Sequence, residues 1–535
     1  MVIKKQQSFL FGFLFIFLIF SSFITFYDTL DPDFGWHIKT GQLILERGAP
    51  KVDWYSYTMP NFPWVDHEWL LDVVMYKVYY YFGSHVLLFL FLFFYTLAFF
   101  VIKKPKQEFI SFFIPVTLGY LATFYFLGIR PQLLGILLIA ILIKIIDDFL
   151  EKSSKLVYIV PLIFLLWVNI HASFFAGLVI LGIIIFLELF KKIKIWQKFP
   201  PAPRLRRAGN FLKFFDSLTI KEISFEKIKT LVAVLIASFL ATLINPYFFG
   251  VYEEVFRTTG DNFLRFNITE WLPLFFSGFK PFIYFYGAVF IGLMALYYKK
   301  VELNKIILSL FFLALSLSGI RYTLIFIIIS LPVLIDLMDI FIKEASFRKN
   351  YHLVAKTYRA IFVILAVLIV AIFVYGIYDF YSGMFGSEFY PKDALPFIKT
   401  IPLEDHILNY YGWGGYLILN MPERKYFIDG RMPSWRQGDD FAFSNYVEVT
   451  KAKEGFEKYL EKYDIKYIIF PKSIKDKYEE SKNDIAGQRV KEFFKKYKIL
   501  SYLFGIDTNN SFYEKLKEFS WSEIYMDNTT IILKK

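Results

Sequence analysis

The sequence predicts a polytopic α-helical membrane protein of about eleven transmembrane helices, followed by an extracytoplasmic α/β domain. Three observations lead there. The 535 residues are 56% hydrophobic and 21% aromatic, too apolar for a water-soluble globule. Long apolar runs recur at spanning length, and Lys and Arg gather on alternate connections between them. After residue 380 the composition turns mixed and charged.

The apolar runs fall near 8–27, 84–102, 109–128, 131–148, 156–170, 172–190, 230–246, 281–298, 304–319, 322–341 and 358–380. The first follows a basic start and lacks a small-residue cleavage site, so it reads as an uncleaved first helix rather than a signal peptide. The fifth and sixth are short and meet at Asn169-Ile170-His171-Ala172-Ser173, the pattern of a broken or re-entrant element. Lys4 and Lys5, Lys103/Lys104/Lys106, Lys152/Lys155, the 191–229 loop, Lys299/Lys300/Lys305 and Lys343/Arg348/Lys349 share one side. The positive-inside rule makes that side cytoplasmic, with the N-terminus inside a cytoplasmic (plasma) membrane. It also accounts for the net charge of +12 without invoking nucleic acid.

The opposite side receives segment 28–83, the turns at Arg130, His171 and Arg321, loop 247–280, and everything after residue 380. The expected organisation is therefore a membrane unit over 1–380, with outer loop 28–83, and a soluble unit over 381–535. In the latter, 425–431 and 464–472 read as strands, 454–463 and 487–497 as amphipathic helices, and 524–534 as a hairpin turning at Asp527-Asn528. Segment 67–82 is amphipathic enough to lie along the outer surface.

The stretch 31–71 concentrates acids in an otherwise apolar region, among them Asp31, Asp33, Asp53, Asp66 and Glu68, with His37 and His67 among Trp and Tyr. Carboxylates at a membrane surface can serve as a general base or ligate a divalent cation through oxygen. Asp31 and Asp33 can equally cap the helix that begins after them. His37, His67 and Glu68 could complete a metal site with Asp33. His171 sits at a break in an apolar run, where polar residues line cavities or hold structure. The Trp, Tyr and Phe residues of 54–69 suit either an interfacial belt or stacking on sugar rings. With no cysteine in the chain, thiolate nucleophiles and Cys-ligated metals are excluded.

Trp36, His37, Gly41, Gly48, Asp53, Ser56-Tyr57-Thr58, Trp64, Glu68 and Trp69 together resemble the first outer loop of a prokaryotic, largely uncharacterised family of multi-span proteins. That family belongs to the GT-C superfamily of glycosyltransferases that use lipid-phosphate sugars. Gly128-Ile129-Arg130-Pro131-Gln132, Trp167-Val168-Asn169-Ile170-His171, Ile244-Asn245-Pro246-Tyr247, Glu270-Trp271-Leu272-Pro273, Trp413-Gly414-Gly415-Tyr416 and Phe427-Ile428-Asp429-Gly430-Arg431 extend the resemblance over most of the chain. The sequence departs from the family pattern at Gly35, where an aromatic is common, and at Trp54-Tyr55.

The resemblance implies a GT-C-like fold and an inverting hexosyl- or pentosyl-transfer from a polyprenyl-phosphate donor to a glycan, lipid or protein acceptor. It makes Asp33, then Asp31, the expected base, with Mg or Mn held by Asp31 and Asp33 as the cofactor option. A lipid-phosphate leaving group needs cations, and Arg130 and Arg321 stand at outer span ends against the usual bias. His37, Glu68, His171 and Trp36 complete the expected substrate-binding set. Two other classes remain open: a flippase or transporter of lipid-linked glycans, which would need ionisable residues deep in several spans, and a non-catalytic glycan-assembly protein. The spans hold few such residues, and no G-x-x-x-x-G-K-[ST] phosphate loop occurs.

Overall fold

A computed structural model describes residues 2–192, 222–278, 280–346, 389–476, 479 and 511–535. Its first part is helical: α1 (Val2–Phe26), α2 (Phe34–Arg47), α3 (Trp69–Val101), α4 (Phe109–Thr123), α5 (Gln132–Lys152), α6 (Val160–Trp167), α7 (Phe174–Lys192), α8 (Phe225–Thr242), α9 (Gly250–Thr259), α10 (Asn262–Asn267), α11 (Pro281–Tyr297), α12 (Leu303–Ser318) and α13 (Thr323–Ser346). Ten of the eleven expected apolar runs coincide with these helices; the eleventh, 358–380, lies outside the described residues, as do most of the 191–229 loop and the expected helix 487–497. Six helices among the described residues are long and apolar enough to cross a membrane, and Lys155–Trp167 and Leu303–Ser318 are shorter apolar helices. This is a multi-pass membrane protein.

Lipid shows its mark on α1. Phe9, Phe13, Ile16, Phe20 and Ile24 recur every three or four residues and are exposed, while Leu14 and Leu18 on the other face are buried. A helix in water would carry polar residues on that outer stripe. Buried Ser22 shares a hydrogen bond of 2.9 Å with Tyr120 of α4, so the polar group inside is satisfied. Within α3 the backbone leaves helical geometry at Gly83 (φ 80°), a left-handed conformation that glycine adopts without a Cβ penalty. The kink separates the amphipathic segment ending at Phe82 from the apolar run after it.

The basic connections meet at one end of the bundle. Lys104 pairs with Asp336 at 2.5 Å, Lys305 with Asp147 at 3.2 Å, and the Lys227 ammonium donates to the Leu150 carbonyl at 2.7 Å. At the WVNIHAS break between α6 and α7, buried Asn169 accepts from the Trp69 indole (2.8 Å) and donates to the Leu165 and Ile244 carbonyls. The break is thereby fastened to the start of α3.

After residue 389 a four-stranded sheet forms in the order β1-β2-β4-β3, from β1 (His406–Asn409), β2 (Ile465–Pro471), β3 (Ser522–Met526) and β4 (Thr530–Lys534). β1 and β2 are parallel, and β3 and β4 make the expected antiparallel hairpin. The expectation of a strand over 425–431 is overturned. That segment carries only an isolated bridge from Tyr426 to Ser56, and strand β1 forms instead at His406–Asn409. Asn409 explains the exchange: its side chain accepts from the Phe427 amide (3.0 Å) and donates to the Ile428 carbonyl (2.8 Å), taking hydrogen bonds a ladder would have used.

A second apolar core links this region to the outer loop. Trp36, Tyr55, Met59, Phe62 and Trp64 pack with Trp413, Tyr426 and Trp435. At its centre the Arg431 guanidinium donates to both Asp429 oxygens (2.8 and 2.6 Å), reaches Asp53 at 2.9 Å and lies over Trp64 and Tyr55. All three charged groups are buried. Removing one partner from a buried ion pair leaves an uncompensated charge and costs about 3–5 kcal/mol. Arg431→Met should therefore release segment 426–431 from the outer loop, seen as faster amide exchange there; exchange as slow as in the parent chain would contradict this.

Candidate functional site

The outer loop reaches the membrane through a tight corner after α1. The Phe34 amide donates to the Asp31 carbonyl and the Asp33 amide to Asp31 Oδ1, both at 3.0 Å, an Asx turn that launches α2. Asp33 stands at the N-cap position, yet its side chain makes no capping bond. The helix-capping reading therefore describes the backbone of Asp33 but not its carboxylate. That carboxylate accepts from the Trp36 indole at 3.0 Å, and no cation stands within ion-pair distance of it among the described residues.

A cleft of about 1540 Å³ opens at this corner, between the helical bundle and the 410–474 region. Asp31, Asp33, Trp36, His37, Glu68, Arg130, His171 and Arg321 all line it, although they come from five separate stretches of chain.

The two arginines have different surroundings. Arg130 is clamped, with Nε 2.5 Å from Asp31 and a terminal nitrogen 2.6 Å from Glu270. Arg321 lies 4.1 Å over the Trp271 ring and has no carboxylate within 4 Å among the described residues. Burial works to raise the Glu270 carboxyl, but Arg130 and Arg321 outweigh it and hold it below the usual range.

Glu68 is the hub of a second group. Its oxygens lie 3.4 Å from His171 Nε2, 3.7 Å from His37 Nε2 and 3.7 Å from His67 Nε2. The His37 ring is steered from behind by Asp72, 2.7 Å from Nδ1. His171 Nδ1 accepts from the Ser173 amide at 3.0 Å, which leaves its proton on Nε2, facing Glu68. Burial lowers the pKa of His171 and His67 and keeps both rings neutral. Burial likewise pushes the Glu68 carboxyl up to about 8, with His37 opposing and Asp72 and Asp66 adding to it. Asp33 is pushed up to about 6, by burial first and the nearby Asp31 charge second.

Among the described residues no three His, Asp or Glu side chains are arranged to hold a metal ion. Both oxygens of Asp31 are engaged, one by the turn and one by Arg130. In this arrangement Asp31 has no unengaged oxygen to offer the divalent cation that the two carboxylates suggested. Glu270 and Gly430 enter the sequence reading only inside quoted motifs, with no role given to them, and Asp72 is missing from it. Glu270 sat in the quoted Glu270-Trp271-Leu272-Pro273 motif, whereas nothing in the sequence pairs Asp72 with His37, 35 residues away.

Raised carboxyl pKa values have a thermodynamic consequence. From about pH 4 these two carboxyls hold more proton in the folded chain than in the unfolded one, so their contribution to stability falls as pH rises, while the lowered His67 and His171 act in the opposite sense. The Asp33 share is lost by about pH 6 and the Glu68 share by about pH 8. Glu68→Gln should therefore remove a downward component from the melting temperature in detergent between about pH 6 and pH 8, relative to the parent chain. A pH profile of melting that the substitution leaves unchanged would contradict the burial of Glu68.

No family model and no curated protein sequence matches the chain. Solved structures do. The Archaeoglobus fulgidus oligosaccharyltransferase tethered with an acceptor peptide containing the NVT sequon superposes with a TM-score of 0.52 at 12% identity, covering 86% of this chain and 68% of that one. The archaeal oligosaccharyltransferase AglB from Archaeoglobus fulgidus, in complex with an inhibitory peptide and a dolichol-phosphate, gives 0.51 at 13% identity, over 85% and 68%. At such identity the likeness is one of fold: the chain has the GT-C-like membrane fold of these oligosaccharyltransferases.

Proposed function

We propose that the chain is a membrane glycosyltransferase that moves a sugar from a polyprenyl-phosphate donor to an acceptor at the outer face of the cytoplasmic membrane. The N-terminus then lies inside, the 1–380 unit spans the membrane with loop 28–83 carrying the site, and the 381–535 unit lies outside. The carrying observation is the convergence of an unpaired aspartate, Asp33, and an arginine without a carboxylate partner, Arg321, in one cleft among the described residues. The similarity to a structure that binds a dolichol-phosphate supports the donor class.

In this reading Asp33 accepts the proton of the acceptor, a glycan, lipid or protein nucleophile, as that group attacks C1 of the sugar. The C1–O bond to phosphate breaks, and the lipid phosphate leaves beside Arg321, whose fork of donors suits phosphate oxygens. Attack on the face opposite the leaving group inverts C1. Arg130 is held by Asp31 and Glu270 and fixes the corner that carries Asp33. Trp36 orients the base through its indole N–H rather than stacking on sugar. His37, Glu68 and His171 supply hydrogen-bonding groups to sugar hydroxyls.

Asp33→Asn should lower transfer about 10²–10⁴-fold, the range of a general base, without disturbing folding. The assay follows label from the lipid-linked pool of native membranes into acceptor. Arg321→Gln should slow transfer about 10–100-fold by removing charged hydrogen bonds to the phosphate. Wild-type transfer by Asp33→Asn would remove this aspartate from the mechanism.

A further inference from the structure

The 410–431 segment meets the Pro32–Trp36 corner through three glycines, and they differ in what they face. A Cβ on Gly35 would stand 2.6 Å from the carbonyl carbon of Gly415, and one on Gly415 would run into the Pro32 carbonyl. These two face backbone, so neither position tolerates a side chain without separating the segments. The glycine at position 35, where the family pattern carries an aromatic, is required by this approach.

Gly430 faces something else. A Cβ there would stand 2.7 Å from Asp33 Cγ and 3.0 Å from Oδ2, and closer still to Oδ1. The obstacle is the end of a side chain, which can turn away while both backbones stay in place. Real Cβ atoms essentially never approach that closely, so the carboxylate must move. On its other side Asp33 is tied to the Trp36 indole and cannot shift without losing that bond.

We propose that Gly430 is a positioning residue for the transfer reaction: its missing side chain forms the socket in which the Asp33 carboxylate is held against Trp36. The base is then set by two distant parts of the chain, and the 410–431 segment is part of the active site rather than an accessory. This rests on the assignment of Asp33 as the base.

The full-length protein carrying Gly430→Ala tests it, with Gly287→Ala as control, since a Cβ at Gly287 meets nothing within 4 Å. A misplacement of about 1 Å costs roughly 100-fold in rate. Gly430→Ala should therefore lose about 100-fold in transfer from the native lipid-linked pool while melting like the parent. Carbon-13 titration of the Asp33 carboxyl should move from about 6 towards the ordinary aspartate value of about 3.9, as the group turns towards water. Gly415→Ala, which meets backbone, should instead lower the melting temperature. Unchanged transfer by Gly430→Ala, an unmoved Asp33 titration, or a melting loss matching Gly415→Ala would each overturn the proposal. Loss of transfer in Asp33→Asn with normal transfer in Gly430→Ala would sink this inference and leave the base assignment standing.

Discussion

The rest of the site depends on holding a half-buried carboxylate at the lining of the cleft without pairing it to a cation. Charge buried alone is costly, and the group responds by holding its proton more tightly. Asp33 is placed in that condition by its neighbours: Asp31 adds like charge, Gly430 closes one side and Trp36 supplies one hydrogen bond. A salt bridge would relieve the cost and remove the basicity together. Arg130, which lines the same cleft, is held instead by two other carboxylates, Asp31 and Glu270. In the proposed reaction the two aspartates of the Asp31-Pro32-Asp33 corner thus divide the work, one holding the scaffold and the other left to react.

Much of the helical architecture was legible because lipid imposes simple rules. Apolar length and the sidedness of Lys and Arg located ten helices and gathered Arg130, His171 and Arg321 at the same end as the acidic loop. Less was legible in the soluble part. The 425–431 run has the hydrophobicity of a strand, but its partners are the Asn409 side chain and residues 55–57 of the outer loop, not a ladder. The pairing with the outer loop spans more than 300 residues and leaves no local pattern. The same is true of the Gly35–Gly415 and Asp33–Gly430 contacts, where the signal is the absence of a side chain.

The histidines show a further limit of reading by residue type. In sequence His37, His67 and Glu68 could complete a metal site with Asp33, and His171 reads as a cavity-lining or structural histidine. Folded, the three histidines surround Glu68 at 3.4–3.7 Å, and their second nitrogens are tied to Asp72 and Ser173 in two of the three cases. The outcome is a polar wall of three imidazoles and a carboxyl that lines the same cleft as Asp33. Only the partners on the far side of each ring settle that character, and those are set by α3 and by the break between α6 and α7.

The proposed transfer site joins a base, a phosphate-binding arginine and a cleft at the lipid boundary. A structure of the chain with a bound polyprenyl phosphate tests that union most directly. The phosphate is expected against the Arg321 guanidinium, its isoprenoid running down the helices, with Asp33 facing the carbon that would bear the sugar. A phosphate bound away from Arg321 and Asp33 would contradict it.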